Sequence, residues 1–245
     1  MAHIHLIVPT VTEFNSLPLV EPLKQFGLTF SQSFITNGPA SIESEFDELL
    51  AAPDVVLRAM EAEANGAEAA IVLCMGNPGV AQAREAVKIP VLGPGETAMH
   101  HAAMLGHKFS VIPTLARRRP TYEHHARHYG LESRLASVRP ANVPVLEIEQ
   151  NPKVFDVLLE RARAAVEQDH ADVLILGCIG FSGLDRRLEG ALRERGHDVP
   201  VIDALPLTVL TAATLVRSGL RHAKNAYPYP PEKIYKGYEF PKRKE

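Results

Sequence analysis

The chain has 245 residues, 46% of them apolar and 22% charged, with a net charge of -3. That is material for one large or two small domains with a real core, and the slightly acidic balance argues against nucleic acid as the main partner, which would select a basic face. No apolar run reaches the roughly 18–20 residues that span a bilayer.

The opening Met1-Ala2-His3-Ile4-His5-Leu6-Ile7-Val8 lacks the cationic head and long apolar segment of a secretory leader and reads as a first strand. The expected setting is therefore the cytoplasm, with no membrane partner. There the two cysteines are free thiols and not a structural disulfide. Pro9, Thr10 and Val11 follow the strand. Gly38-Pro39 marks a turn before Ser41 and Glu43, which either line a cleft or simply start the helix predicted over Phe46–Glu63. The apolar run Ala69 to Leu73 then enters Cys74-Met75-Gly76-Asn77-Pro78-Gly79-Val80. Here Asn77 suits an N-cap and Pro78 a first helical position, for a helix over Val80–Val87. Ile89-Pro90-Val91-Leu92 is the next short strand, Gly93-Pro94-Gly95 a turn, and Thr97–Leu105 a helix.

From this point the chain repeats itself. Val111-Ile112-Pro113-Thr114-Leu115 answers Ile7-Val8-Pro9-Thr10-Val11, and Cys178-Ile179-Gly180-Phe181-Ser182-Gly183-Leu184 answers the turn at Cys74. The separation is 104 positions in both cases, from 10 to 114 and from 74 to 178. Val199-Pro200-Val201-Ile202 answers 89–92 with a longer spacing. Helices are predicted over Asn151–Gln168 and Leu205–Ser218. Within the second turn Ser182 is expected as a cap, with Asp185 complementing the helix dipole. Short Val/Ile/Leu-rich runs alternating with helices mean parallel strands buried on both faces. The expected fold is α/β: two similar doubly wound, Rossmann-like parallel-sheet lobes related by pseudo-twofold symmetry. Residues 1–96 plus about 205–245 form the first lobe and 97–204 the second, with the active site in the cleft between them. The Pro/Tyr-rich stretch Tyr227–Pro231 is expected to drape over a surface.

Ligands of doubly wound sheets bind outside the carboxyl ends of the strands, where both cysteines fall. A thiol beside a helix N-terminus is expected to have a lowered pKa, and the glycines at 76 and 180 let backbone N–H groups approach a bound oxygen. Two thiols flanking one cleft can invert a carbon acid, one removing a proton and the other returning one to the opposite face. Thr10 and Thr114 are equivalent positions, read either as substrate hydrogen-bonding groups or as local caps. Arg117-Arg118-Arg119 and Lys242-Arg243-Lys244 read as solvated surface. His124 and His128 have metal-pair spacing without the Glu of an H-E-x-x-H motif or a third ligand, so no metal site is expected. No phosphate loop or complete G-x-G-x-x-G motif points to a nucleotide.

Gly38-Pro-Ala-Ser-Ile-Glu-Ser44, Cys74-Met-Gly-Asn-Pro-Gly79 with Ala83-Arg-Glu85, Phe109-Ser-Val111 with Thr114-Leu115, and Gly177-Cys-Ile-Gly180 lie in one order along the chain. Together with the Pro/Tyr-rich end they resemble the aspartate/glutamate/hydantoin racemase superfamily, within it the hydantoin and allantoin racemase branch. The resemblance implies Cys74 and Cys178 as the acid/base pair, no cofactor, a small-molecule substrate and a homo-oligomer. Substrate contacts are expected at Thr10, Ser41, Met75, Gly76, Asn77, Thr114, Ile179 and Gly180. The chain departs from the branch at Val8-Pro9-Thr10-Val11, where Asn-Pro-Asn-Thr is typical, at Asn77, where Asp is common, and at the bulky Ile179 and Phe181. The implied function is a racemase or epimerase of a hydantoin-like carbon acid, such as a 5-substituted hydantoin or allantoin. The alternatives are a maleate isomerase-like or decarboxylase-like enzyme of the same superfamily, and a non-catalytic two-lobed binding protein.

Overall fold

The computed structural model describes residues 1–238, 240 and 241. The basic end Lys242-Arg243-Lys244 lies outside them. The first lobe contains strands β1 (Ala2–Val8), β2 (Leu28–Phe34), β3 (Ala69–Val72) and β4 (Val91–Leu92), with helices α1 (Leu17–Val20), α2 (Glu45–Ala64) and α3 (Val80–Ala86), and α4 (Pro94–Leu105) leads from it into the second. The second contains β5 (Phe109–Ile112), β6 (Leu135–Val138), β7 (Val173–Leu176) and β8 (Val201–Ile202), with α5 (Arg119–His128), α6 (Val154–Glu167) and α7 (Asp185–Arg193), and a last helix, α8 (Ala204–Arg217), follows β8.

Both sheets are parallel and share one strand order, β2-β1-β3-β4 and β6-β5-β7-β8. The repeat in sequence is thus a repeat in topology. β3 and β7 are the inner strands, and every residue of Ala69–Val72 and Val173–Leu176 is buried, which is why both read as unbroken apolar runs. Edge strand β2 was not legible in this way. Its Ser31 hydroxyl meets His3 and His5 at 2.7 Å each, and Ser33 meets His5 at 2.8 Å. Burial of His5 lowers its pKa to about 4, so that imidazole is neutral at pH 7.

Helix starts follow local chemistry, with two corrections to the sequence reading. Ser44 caps α2 by accepting from the Asp47 amide, and Pro94 opens α4 at a position that needs no donor. Asn77, expected as an N-cap, instead takes a left-handed conformation, φ 57°, and the cap position of α3 is Gly79. Ser182 does not cap α7 either; its hydroxyl donates to Asp203 at 2.9 Å, and Leu184 precedes the helix, which carries Asp185 in its first turn.

α8 returns to the first lobe and packs on β1, β3 and β4, while α4 packs on α8 and on β5 and β7. These two helices therefore lie between the sheets. Ile4, Leu6 and Ile71 share one core with Phe109, Val173 and Ile175, joined through Met99 of α4 and Leu205 of α8. One buried core holding both lobes fixes their relative position. Leu205 is fully buried within it, so Leu205→Ala is expected to lower unfolding stability by about 2–5 kcal/mol in a urea titration, through lost burial and the cavity left behind. The segment after α8 folds back on the first lobe. Lys224 Nζ donates to the carbonyls of Arg84 and Val87, and Arg84 lies against the Tyr227 ring. Among the described residues no helix is long and apolar enough to cross a membrane.

Candidate active site

In each sheet the strand order reverses direction between its first and third strands in sequence, so the loops after β1 and β3 open a crevice, as do those after β5 and β7. The two crevices merge into one cavity of about 280 Å³. Its wall includes Pro9 and Thr10 after β1, Cys74, Met75 and Gly76 after β3, Thr114 and Arg118 after β5, and Gly177, Cys178, Ile179 and Gly180 after β7. Ser41, Ile42, Phe14 and the segment around Val145, Leu146 and Ile148 close it. Most of this lining is apolar, as in sites that exclude water and leave a few polar groups to orient the ligand.

Of the residues expected at the site, Cys74, Cys178, Thr10, Ser41, Met75, Gly76, Thr114, Ile179 and Gly180 all line this cavity. Asn77 does not; its Nδ2 donates to the Tyr129 hydroxyl at 3.0 Å and its Oδ1 accepts from the Gly95 amide at 3.2 Å. It braces the Cys74 turn from behind. Glu43 is also off the wall, and its carboxylate accepts from the Val145 amide at 2.8 Å, tying the loop before α2 to the second lobe. Thr10 Oγ1 donates to the carbonyl of Thr12 at 3.2 Å, the local turn bond that was one of its two readings.

Both cysteines are free and both line the cavity. Their environments contradict the lowered pKa expected from helix N-termini. Burial pushes the Cys74 thiol up to about 12, with the Glu48 carboxylate adding to the rise, and burial pushes Cys178 up to about 11. The helices begin too late to offset this: α3 starts at Val80 and α7 at Asp185, and dipole effects fade beyond the first turn. The backbone amides are also aimed differently from the expectation. The Gly180 amide donates to Cys178 Sγ at 3.4 Å, and the Gly76 amide hydrogen-bonds the Cys74 thiol. They favour a thiolate and are not directed at a ligand oxygen.

Supporting bonds hold the second turn. Tyr122 Oη donates to the Gly177 carbonyl at 2.6 Å, and the Asp203 carboxylate accepts from the Gly183 amide at 2.8 Å and the Leu205 amide at 3.1 Å. The loop carrying Cys178 is thereby fastened to the start of α8.

One wall residue overturns the sequence reading outright. Arg118, expected at the surface with its neighbours, is 3% exposed, whereas Arg117 and Arg119 are exposed. Its Nη2 is bonded to Glu48 of α2, so the pair joins the two lobes beside Cys74. Glycine at 76 makes room for it, since a Cβ there would sit 1.7 Å from Glu48 Oε1 and 2.6 Å from Arg118 Nη2. Nothing in a run of three arginines distinguishes the middle one. Its spacing from Thr114 puts it on the inner side of a 3-10 turn, Ala116–Arg118, and that becomes visible only in the fold. His124 and His128 stack on each other at 6.3 Å between ring centroids, and among the described residues no group of three or more His, Cys, Asp or Glu is placed to hold a metal ion.

Residues 28–212 match the family model described as Asp/Glu/Hydantoin racemase. The chain belongs to that family. It is 35% identical to a hydantoin racemase of Rhizobium meliloti over 97% of this chain and 98% of that protein. With a hydantoin racemase of Pseudomonas sp. (strain NS671) it shares 37% identity over 82% of this chain and 79% of the relative. The structure of allantoin racemase from Klebsiella pneumoniae superposes with a TM-score of 0.88 at 29% identity, covering 97% of each chain. This racemase-family chain is accordingly an isomerase by family, and its two-lobed fold is that of its structural relative.

Proposed function

We propose that the chain is a cofactor-independent racemase of a hydantoin-like carbon acid, with Cys74 and Cys178 as the acid/base pair. The observation that carries this reading is that two equivalent turns, one from each lobe, bring a free thiol apiece to a single cavity. In the reaction, the thiolate of one cysteine takes the proton from the ring carbon bearing the substituent. An S–H bond forms, the C–H bond breaks, and the electron pair spreads onto the adjacent carbonyl oxygen. The other thiol then donates its proton to the opposite face, the electron pair returns to carbon, and that sulfur is left as the thiolate. Atoms and charge balance, and the opposite enantiomer uses the same pair in reverse. Positioned proton transfer of this kind is worth about 10²–10⁴-fold.

The named relatives include hydantoin racemases and an allantoin racemase. Between these substrates we favour hydantoins with an apolar 5-substituent, because Val8, Phe14, Ile42 and Ile179 make a greasy wall poorly suited to the polar ureido group of allantoin. Chemistry carried by two free thiols operates where thiols stay reduced, and on that ground we place the enzyme in the cytoplasm.

The test is racemisation of single-enantiomer hydantoins and allantoin in D₂O by enzyme dialysed against EDTA. The inverted product is expected to carry deuterium at the ring carbon at the undiminished rate, with 5-alkyl or 5-benzyl hydantoin preferred over allantoin. Inversion without solvent label, or activity that returns only on adding a metal, contradicts the two-thiol reading.

A further inference from the structure

The proposed reaction leaves a charge to be accounted for. When the ring carbon loses its proton, negative charge develops on the neighbouring carbonyl oxygen, and a donor fixed in place before the reaction is the usual means of stabilising it. The amides of Gly76 and Gly180 are spent on the two sulfurs. Tyr122 Oη is spent on the Gly177 carbonyl. Arg118 differs from these. Its Nη2 is held by Glu48, but its buried Nη1 has no hydrogen-bond partner. A buried unpartnered guanidinium nitrogen is costly to keep unless something fills it, and this one belongs to a residue of the cavity wall beside Cys74.

We propose that Arg118 is a further catalytic residue, whose guanidinium, on the cavity wall and with donor capacity left over beside the Glu48 bond, donates to the substrate carbonyl oxygen next to the inverted carbon and stabilises the enolate formed there. The inference rests on the racemase reading above and deepens it. No proton leaves the guanidinium. The C–H electron pair becomes the new C=C bond, the carbonyl π pair moves to oxygen, and the N–H bond to that oxygen strengthens as its charge grows. Glu48 orients the guanidinium and cancels its net charge. Arg118 therefore acts as an aimed donor for a neutral carbonyl and selects a cyclic amide or imide over a free carboxylate. The position also suits a role in both directions, since the enolate oxygen is common to the two enantiomers.

The experiment compares wild type with Arg118→Lys, Arg118→Gln and the double variant Glu48→Gln/Arg118→Gln. Each is first assayed for thermal unfolding, then for racemisation of a 5-benzylhydantoin enantiomer and for iodoacetamide alkylation of the thiols at one pH. Losing Arg118 alone strands Glu48 as a buried charge, whereas the double variant removes both charges and gives a folded comparison even if the single variants unfold. Glu48 and Arg118 act on the Cys74 thiol in opposite senses, so the double variant should alkylate within a few-fold of wild type. Its kcat is expected to fall about 10²–10³-fold with little change in KM, the signature of a lost transition-state donor. A kcat that falls only in step with alkylation would mean that Arg118 acts on the thiol and not on the substrate, and unchanged racemisation in the folded double variant would remove its role altogether. If wild type itself racemises no hydantoin, the racemase reading fails first, and this inference with it.

Discussion

Cys74→Ala and Cys178→Ala are each expected to lower racemisation about 10²–10⁴-fold in both directions, because inversion needs a base on one face of the carbon and an acid on the other. The two variants should nonetheless differ in a revealing way. Each retains one sulfur, and that sulfur can still remove and return a proton on its own face. Each variant should therefore exchange the ring hydrogen of one enantiomer with D₂O without inverting it, and the two should choose opposite enantiomers. Proton NMR for exchange and polarimetry for inversion separate the two events. Both cysteines pack at the margins of hydrophobic clusters and neither makes a structural disulfide, so the variants should remain folded and a circular dichroism melt should move only slightly. Wild-type inversion by either variant would overturn the mechanism.

The second large effect is on pH. With the thiols pushed up to about 12 and about 11, few of them are ionised at neutral pH in the empty enzyme. The alkylation rate is expected to rise close to tenfold per pH unit between about pH 7 and 10, following the thiolate fraction. The active form carries one thiolate and one thiol. Racemisation, measured as kcat/KM, should therefore climb with pH through the same range and decline only as the second thiol ionises. A plateau below pH 8 would show that the free enzyme already holds a thiolate. The same shifts act on stability. Each folded thiol keeps its proton to a higher pH than an unfolded cysteine near 8.5, so unfolding releases protons above that value. Stability contributed by these groups is present below about pH 8.5 and is lost progressively as pH rises toward 11 and 12.

Burial explains why the sequence-based pKa expectation failed in sign. A strand-to-helix turn with glycines suggests a thiol at a positive helix end, but that inference assumes that the helix starts at the turn. Left-handed Asn77 and Gly79 delay α3, and the 3-10 turn Ile179–Phe181 delays α7. What remains near each sulfur is one amide, joined at Cys74 by the opposed charges of Glu48 and Arg118, and desolvation outweighs the single hydrogen bond. The same delay moved Asn77 from the cap it was expected to form to its bonds with Gly95 and Tyr129.

The strands, the alternation with helices and the matched cysteine turns were legible because they depend on local rules. Fully buried parallel strands need unbroken apolar runs, turns need Gly and Pro, and a duplicated lobe repeats both at a constant spacing. Edge strand β2 escaped because its inner hydroxyls are satisfied by His3 and His5, residues far away in sequence. Arg118 escaped for a related reason. Its burial depends on Glu48 arriving from the other lobe and on the space left by Gly76, and no window of sequence contains all three. The amino-acid sequence by itself determined the buried strands and most of the helices, and that two like lobes each carry one thiol, since hydrophobic period and backbone preference act over a few residues. The tertiary structure alone decided that burial raises the pKa of the thiols and that one arginine of three turns inward, because desolvation and charge pairing are set by neighbours that only folding brings together.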